Sequence, residues 1–143
     1  PLCWDYALSW AKVRPQMQAA GVSGPLLVSV GRADQLAKFL ELNPELAGLP
    51  AAVDDTPEFK AYRAAGLGLL GDVKLEEPPD FKPPRTMGPG KWMKYMANTV
   101  TLAPIPKGVE FKFGDVPEGV RVLGGTYALD GEAVVFSHQD AVP

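Results

Sequence analysis

Cys3 is the one side chain whose type and place suit redox chemistry, because it is the only cysteine in 143 residues. The apolar spacing around it predicts a helix beginning at Leu2, which sets Cys3 in an exposed first turn. Free backbone N–H groups and the helix dipole lower a thiol's pKa there and make it reactive. Asp5, in the same turn, opposes a thiolate. The competing reading is an inert cysteine that packs as a small hydrophobe. Trp4 flanks Cys3 and would mark an exposed docking face, whereas Tyr6 and Trp10 read as core. Gly124-Gly125-Thr126 is a second candidate. Two glycines before a strand allow positive φ or a close backbone approach, and they also suit a bulge or plain turn. His138 and Asp140 close the last strand, where a histidine can act as a base but is ordinarily just solvated.

These residues need elements to place them. Leu2, Tyr6, Trp10, Val13 and Met17 recur every three or four positions and predict a helix over Leu2–Ala20 that Gly21 stops. Pro15 removes a backbone donor and should kink or split that helix. Leu26–Val30 is a near-continuous apolar run, as in a buried central strand. A helix over Ala33–Leu42 ends at Asn43-Pro44. Ala51–Val53 is a short strand, and Thr56 with Pro57 opens a helix that ends near Gly66. Val122–Leu129 and Glu132–Ser137 are β-rich runs joined by Asp130-Gly131, a hairpin signal.

Between them, Leu67–Gly119 is rich in proline and glycine, with room for one short helix over Lys91–Thr99. Long irregular stretches of this kind are usually functional or disordered. Trp92 and Tyr95, set among methionines and lysines, suit a protein contact. The alternative is a lid over the domain's own core. On the docking reading, removing Thr86–Ile105 abolishes partner binding and leaves the fold intact, whereas unfolding marks a lid. Phe111-Lys112-Phe113 reads as an edge strand or a second contact strip. The whole is a single α/β domain over residues 1–143, with a parallel part, an antiparallel hairpin and an irregular insert at 67–119. A strand ahead of Leu2 would complete a βαβ unit.

Several motifs then fall in a recognisable order. Pro1-Leu2-Cys3-Trp4-Asp5 resembles the back half of the Cys-Pro-x-Cys-Trp-Glu motif of the peroxiredoxin-like 2 family, the AhpC/TSA-like antioxidant proteins. Leu123-Gly124-Gly125-Thr126-Tyr127 resembles that family's Leu-Gly-Gly-Thr-Phe, and Val134–Asp140 its strand ending in His-x-Asp. Ala19-Ala20-Gly21-Val22, Val53-Asp54-Asp55 and Tyr62–Leu67 also fit. The resemblance implies a thioredoxin-like fold, a central mixed sheet flanked by helices, with Gly124-Gly125-Thr126 facing a redox-active cysteine. Cys3 matches the second cysteine of the motif. Paired with an upstream cysteine it would form a reversible disulfide; alone it would cycle through sulfenic acid or pair with another chain. The Pro-x-x-x-Thr-x-x-Cys loop of true peroxiredoxins has no counterpart, and Arg121 stands several residues early for the arginine that steadies peroxide.

Composition bounds the function classes. Net charge is -3 and no basic run stands out, so nucleic acid is not an expected partner. One histidine excludes a His-rich metal site, and no cofactor is expected. No apolar run is long enough to span a bilayer, and any membrane association would be peripheral, through a partner. There is no initiator Met and no signal or transit sequence, as in a processed chain or a fragment. Two functions follow: a thiol oxidoreductase acting on peroxide or protein disulfides through Cys3, or a binding subunit docked by the insert in a larger assembly. Plant and algal relatives of the family are commonly plastid proteins, so the resemblance implies a chloroplast setting, at a thylakoid complex in the second reading.

Overall fold

The computed structural model describes residues 2–70, 87–99, 101–105, 108, 110 and 118–140, with the side chains of residues 2 and 3 outside that description. The Phe111–Phe113 strip and most of the 67–119 insert also lie outside it. The chain is mixed α/β. It runs α1 (Leu2–Ala19), β1 (Leu27–Val30), α2 (Ala33–Leu42), a 3-10 turn (Pro44–Leu46), β2 (Ala51–Asp54), α3 (Lys60–Ala64), α4 (Pro89–Asn98), α5 (Glu118–Arg121), β3 (Gly125–Asp130) and β4 (Ala133–Gln139).

Local chemistry sets most of these ends. α1 stops where Gly21 adopts φ +81. Val22 N then donates to Met17 O at 3.0 Å and Gly21 N to Gln18 O at 3.0 Å, the paired bonds that close a helix on a left-handed glycine. Pro15 sits inside α1 without splitting it, contrary to expectation. It forfeits one bond of an 18-residue ladder, and packing of the helix on its neighbours outweighs that loss. α2 begins where Arg32 N donates to Gln35 Oε1 at 2.9 Å, and it ends where buried Asn43 Nδ2 donates to Phe39 O at 2.8 Å. Asp54 shapes the entry to α3. Its carboxylate accepts Thr56 N (3.2 Å), Thr56 Oγ1 (2.5 Å) and Ala61 N (2.7 Å). Thr56 Oγ1 in turn accepts Lys60 N at 2.9 Å, the first amide of a helix that starts three residues later than the sequence suggests, with Phe59 and not Thr56 at its N-cap.

Among the described residues there are two separate two-stranded sheets rather than one central sheet. β1 and β2 are parallel, Leu27 opposite Ala51 through Val30 opposite Asp54. β3 and β4 form an antiparallel hairpin, Gly125 opposite Gln139, with a bulge near Ala128 and Leu129. Gly131 turns the hairpin at φ +59, as Asp130-Gly131 predicts. β1 is not the buried central strand expected of its composition: Val28 is 44% exposed, and among the described residues β1 has a strand on one side only.

The core lies between α1, α2 and the 3-10 turn. Trp4, Ala7, Leu8, Leu46, Leu49 and Met87 are buried together, with Ala11, Leu27, Phe39, Trp92, Tyr95 and Leu102 packed against them. The stripe α1 buries is therefore Trp4, Ala7, Leu8 and Ala11. It is not the expected Leu2, Tyr6, Trp10, Val13 and Met17 stripe, of which Tyr6 and Val13 are exposed.

Candidate functional site

Two sets of residues converge on the first turns of α1, from opposite sides. Tyr6 stands three residues after Cys3, a spacing that puts both positions on one face of a helix. Its hydroxyl lies 2.5 Å from Thr126 Oγ1, so α1 meets the start of β3. Thr126 is opposite His138 in the hairpin register, which places the two on the same face. His138 Nε2 is 3.7 Å from Asp140 Oδ1, within ion-pair reach when the imidazole is protonated.

The glycines here have a steric reason. A Cβ on Gly124 would stand 2.5 Å from Asp140 Oδ2, and one on Gly125 would stand 2.7 Å from both His138 O and a Leu67 methyl. Neither glycine has positive φ. Of the sequence readings, close backbone approach is the one that holds: Gly124 leaves room for the Asp140 carboxylate, and Asp140 N donates to Gly124 O at 2.9 Å. Of the three, Thr126 is the one that meets the helix that carries Cys3, through Tyr6.

Trp4, Trp92 and Tyr95 point elsewhere. Trp4 is 2% exposed and offers no docking face, a correction to the sequence reading. Its ring meets Phe39 at 5.4 Å and Tyr95 at 5.0 Å, both edge-on, and Trp92 stacks on Tyr95 at 5.5 Å. A side chain next to Cys3 in sequence thus turns inward because neighbouring helix positions are 100° apart. α4 closes over it. Its Lys91 Nζ pairs with Glu45 Oε1 at 2.7 Å. That bond is the main cause holding the Glu45 carboxyl below its ordinary range. The strap after α4 is tied to α2, where Gln35 Nε2 donates to Ala103 O at 2.5 Å. Of this helix only Met93 and Met96 stay well exposed among its large apolar side chains. Trp92 and Tyr95 therefore line a lid on the core, and the outward apolar side chains of this helix are the methionines.

Tyr6 is misassigned in the opposite sense to Trp4. It was expected inside, yet it is 40% exposed and hydrogen-bonded to Thr126. Its three-residue spacing from Cys3 was the available signal. No group of three or more metal-ligating side chains occurs among the described residues, and none of their helices is long and apolar enough to cross a membrane. No protein-family model, curated protein or solved structure matches the chain.

Proposed function

We infer that this is a thioredoxin-like domain of the peroxiredoxin-like type whose function is thiol redox chemistry at Cys3. The observation that carries this reading is the Tyr6–Thr126 hydrogen bond. It sets the segment after Gly124-Gly125 against the first turns of the cysteine-bearing helix, the juxtaposition the family resemblance implies. The start of an 18-residue helix also favours a thiolate. With a peroxide substrate, the Cys3 thiolate attacks one peroxide oxygen. The S–O bond forms, the O–O bond breaks, and the leaving oxygen departs as water after taking a proton. The sulfenic acid is then condensed by a second thiol, releasing water and forming a disulfide, which a further thiol reductant returns to Cys3 thiol.

The test is alkylation of the intact protein with and without a brief peroxide pulse, read by peptide mass spectrometry. Rapid alkylation at neutral pH that the pulse abolishes is the expected result. A Cys3 that alkylates slowly and ignores peroxide sinks the redox reading.

A second reading is favoured by one observation, the outward pair Met93 and Met96, which are 70% and 54% exposed. Methionines so placed suit an adaptable protein contact. On that reading the chain is an assembly subunit, in plastids at a thylakoid complex, held to the membrane only through its partner. Met93→Ser with Met96→Ser then releases it from the complex, and complex assembly left unchanged counts against this reading.

A further inference from the structure

A cleft of about 190 Å³ opens where α1, the 3-10 turn and α4 meet, lined by Leu8, Ala11, Lys12, Glu45 and Lys91. Leu8 belongs to the buried core and Ala11 packs against it, so the floor of the cleft is apolar. The charged residues stand at its mouth. Lys12 is exposed, and the Glu45 side chain is 55% exposed.

Size and charge limit what fits. Pockets for cofactors and drug-sized ligands run about 300–1,000 Å³, so this cleft is too small for one. A cavity of about 150 Å³ holds a benzene ring, which makes this cleft the right size for a single large apolar side chain. The charges at the mouth do not balance. Lys91 Nζ pairs with Glu45 Oε1 at 2.7 Å, and the two cancel. Lys12 meets no carboxylate among the described residues, and neither does Lys94. Lys94 is exposed and stands three positions after Lys91, one turn along the same side of α4. Asp5, the one acidic residue of α1, lies seven positions before Lys12, about 10 Å along the helix. Lys12 and Lys94 are therefore uncompensated beside an apolar cleft. The whole chain carries -3, so this attraction for acid is local.

We propose that this cleft docks an acidic peptide segment of a partner protein. One large apolar side chain of the segment enters between α1 and α4, and its neighbouring carboxylates pair with Lys12 and Lys94. The lysine stems cover the apolar anchor while their heads reach the acids. Burial of the anchor supplies most of the affinity, and the charges supply selectivity and fast association. Because the cleft is built from both helices, the segment binds only while α4 is closed over Trp4. This rests on the second reading above, in which the chain has a protein partner. The site is separate from Met93, which lies about 200° from Lys91 around α4.

Fluorescence polarisation on the full-length protein tests it, with the fluorescein-labelled peptide Glu-Asp-Phe-Asp-Glu as probe. Saturable binding is expected, weakened on the order of 10-fold or more when the phenylalanine becomes glycine. Replacing the acids by glutamine and asparagine should weaken it on the order of 10-fold as well, and so should Lys12→Glu with Lys94→Glu. Both lysines are exposed, so that variant keeps the parent's urea midpoint. Ala11→Phe fills the cleft from its floor and should abolish binding with no change of charge. No saturable binding overturns the proposal. So does an amide peptide, or a lysine variant, that binds as tightly as the original, since charge then plays no part. A glycine peptide of undiminished affinity overturns the cleft, because surface charge alone then binds. Parent dimers that Ala11→Phe dissociates also overturn it, the occupant then being a second copy. If Met93→Ser with Met96→Ser leaves assembly unchanged while the peptide binds, the methionine surface fails alone. A complex released by those two substitutions, beside a peptide that does not bind, defeats this cleft alone.

Discussion

The two ends of the molecule are held by different physics. Around Trp4, four aromatic rings from α1, α2 and α4 pack together, with Trp4 buried among them. At the hairpin, Leu129, Val134, Val135 and Phe136 are each more than half exposed, and beside the Leu67 methyl at Gly125 the ties to the body are polar, Tyr6 to Thr126 and Tyr127 to the Ala65 carbonyl. Buried apolar area gives stability, whereas a hydroxyl bond in water gives mainly position, because it replaces bonds to solvent. The core end is thus the stable end, and the hairpin end is the one that can change partners at little cost.

Substitutions can break that contrast, the largest effect first. Trp4→Ala empties the centre of the aromatic cluster, and we expect a loss of about 3–5 kcal/mol in urea unfolding. A loss below about 1 kcal/mol would mean that the rings do not carry the core. Removing residues 87–105 takes out Met87, Trp92, Tyr95 and Leu102 together, and the protein is expected to lose its cooperative transition. A deletion that melts as sharply as the parent would return this segment to the status of a detachable docking loop.

Asp54 is next, expected to cost about 1–3 kcal/mol as Asp54→Ala because the amides and hydroxyl it serves lose their acceptor. Burial works to raise the Asp54 carboxyl, and hydrogen bonds from Thr56, Ala61 and Tyr62 outweigh that to hold it below its ordinary value. The unfolded chain therefore binds the proton more readily than the folded one. The contribution is full above the ordinary carboxylate range and is lost as pH falls through the lowered folded value. Urea midpoints from pH 7 downward should show a steeper acid loss in the parent than in Asp54→Asn, and parallel curves would contradict this.

Tyr6→Phe removes one exposed hydroxyl bond and should cost only about 0.5–1.5 kcal/mol, while loosening the hairpin locally. Faster amide exchange at Thr126 and His138, with the α1 and α2 amides unchanged, is the pattern that sharpens the comparison. Uniform loss across the chain would mean that both ends unfold as one unit. Met93→Ser changes stability by no more than about 0.5 kcal/mol. A larger loss in thermal unfolding would put that side chain in the core.

What local chemistry governs could be read from the sequence alone. Gly21 ends α1, Asn43-Pro44 ends α2 at its observed boundary, and Asp130-Gly131 turns the hairpin, because each depends on a φ angle or a missing donor within a few residues. α4 was legible from its spaced aromatics as a helix over Lys91–Thr99, and it runs Pro89–Asn98, the start set by a proline the sequence reading left outside. The tertiary structure alone decided which stripe of α1 is buried. Apolar side chains surround that helix, so two faces compete, and Phe39 and Tyr95 select the one that carries Trp4. It also decided why two glycines precede β3, since the atoms they leave room for belong to Leu67, His138 and Asp140. Tyr6 became a link to Thr126 for the same reason: a bond across 120 residues of chain has no periodicity to announce it.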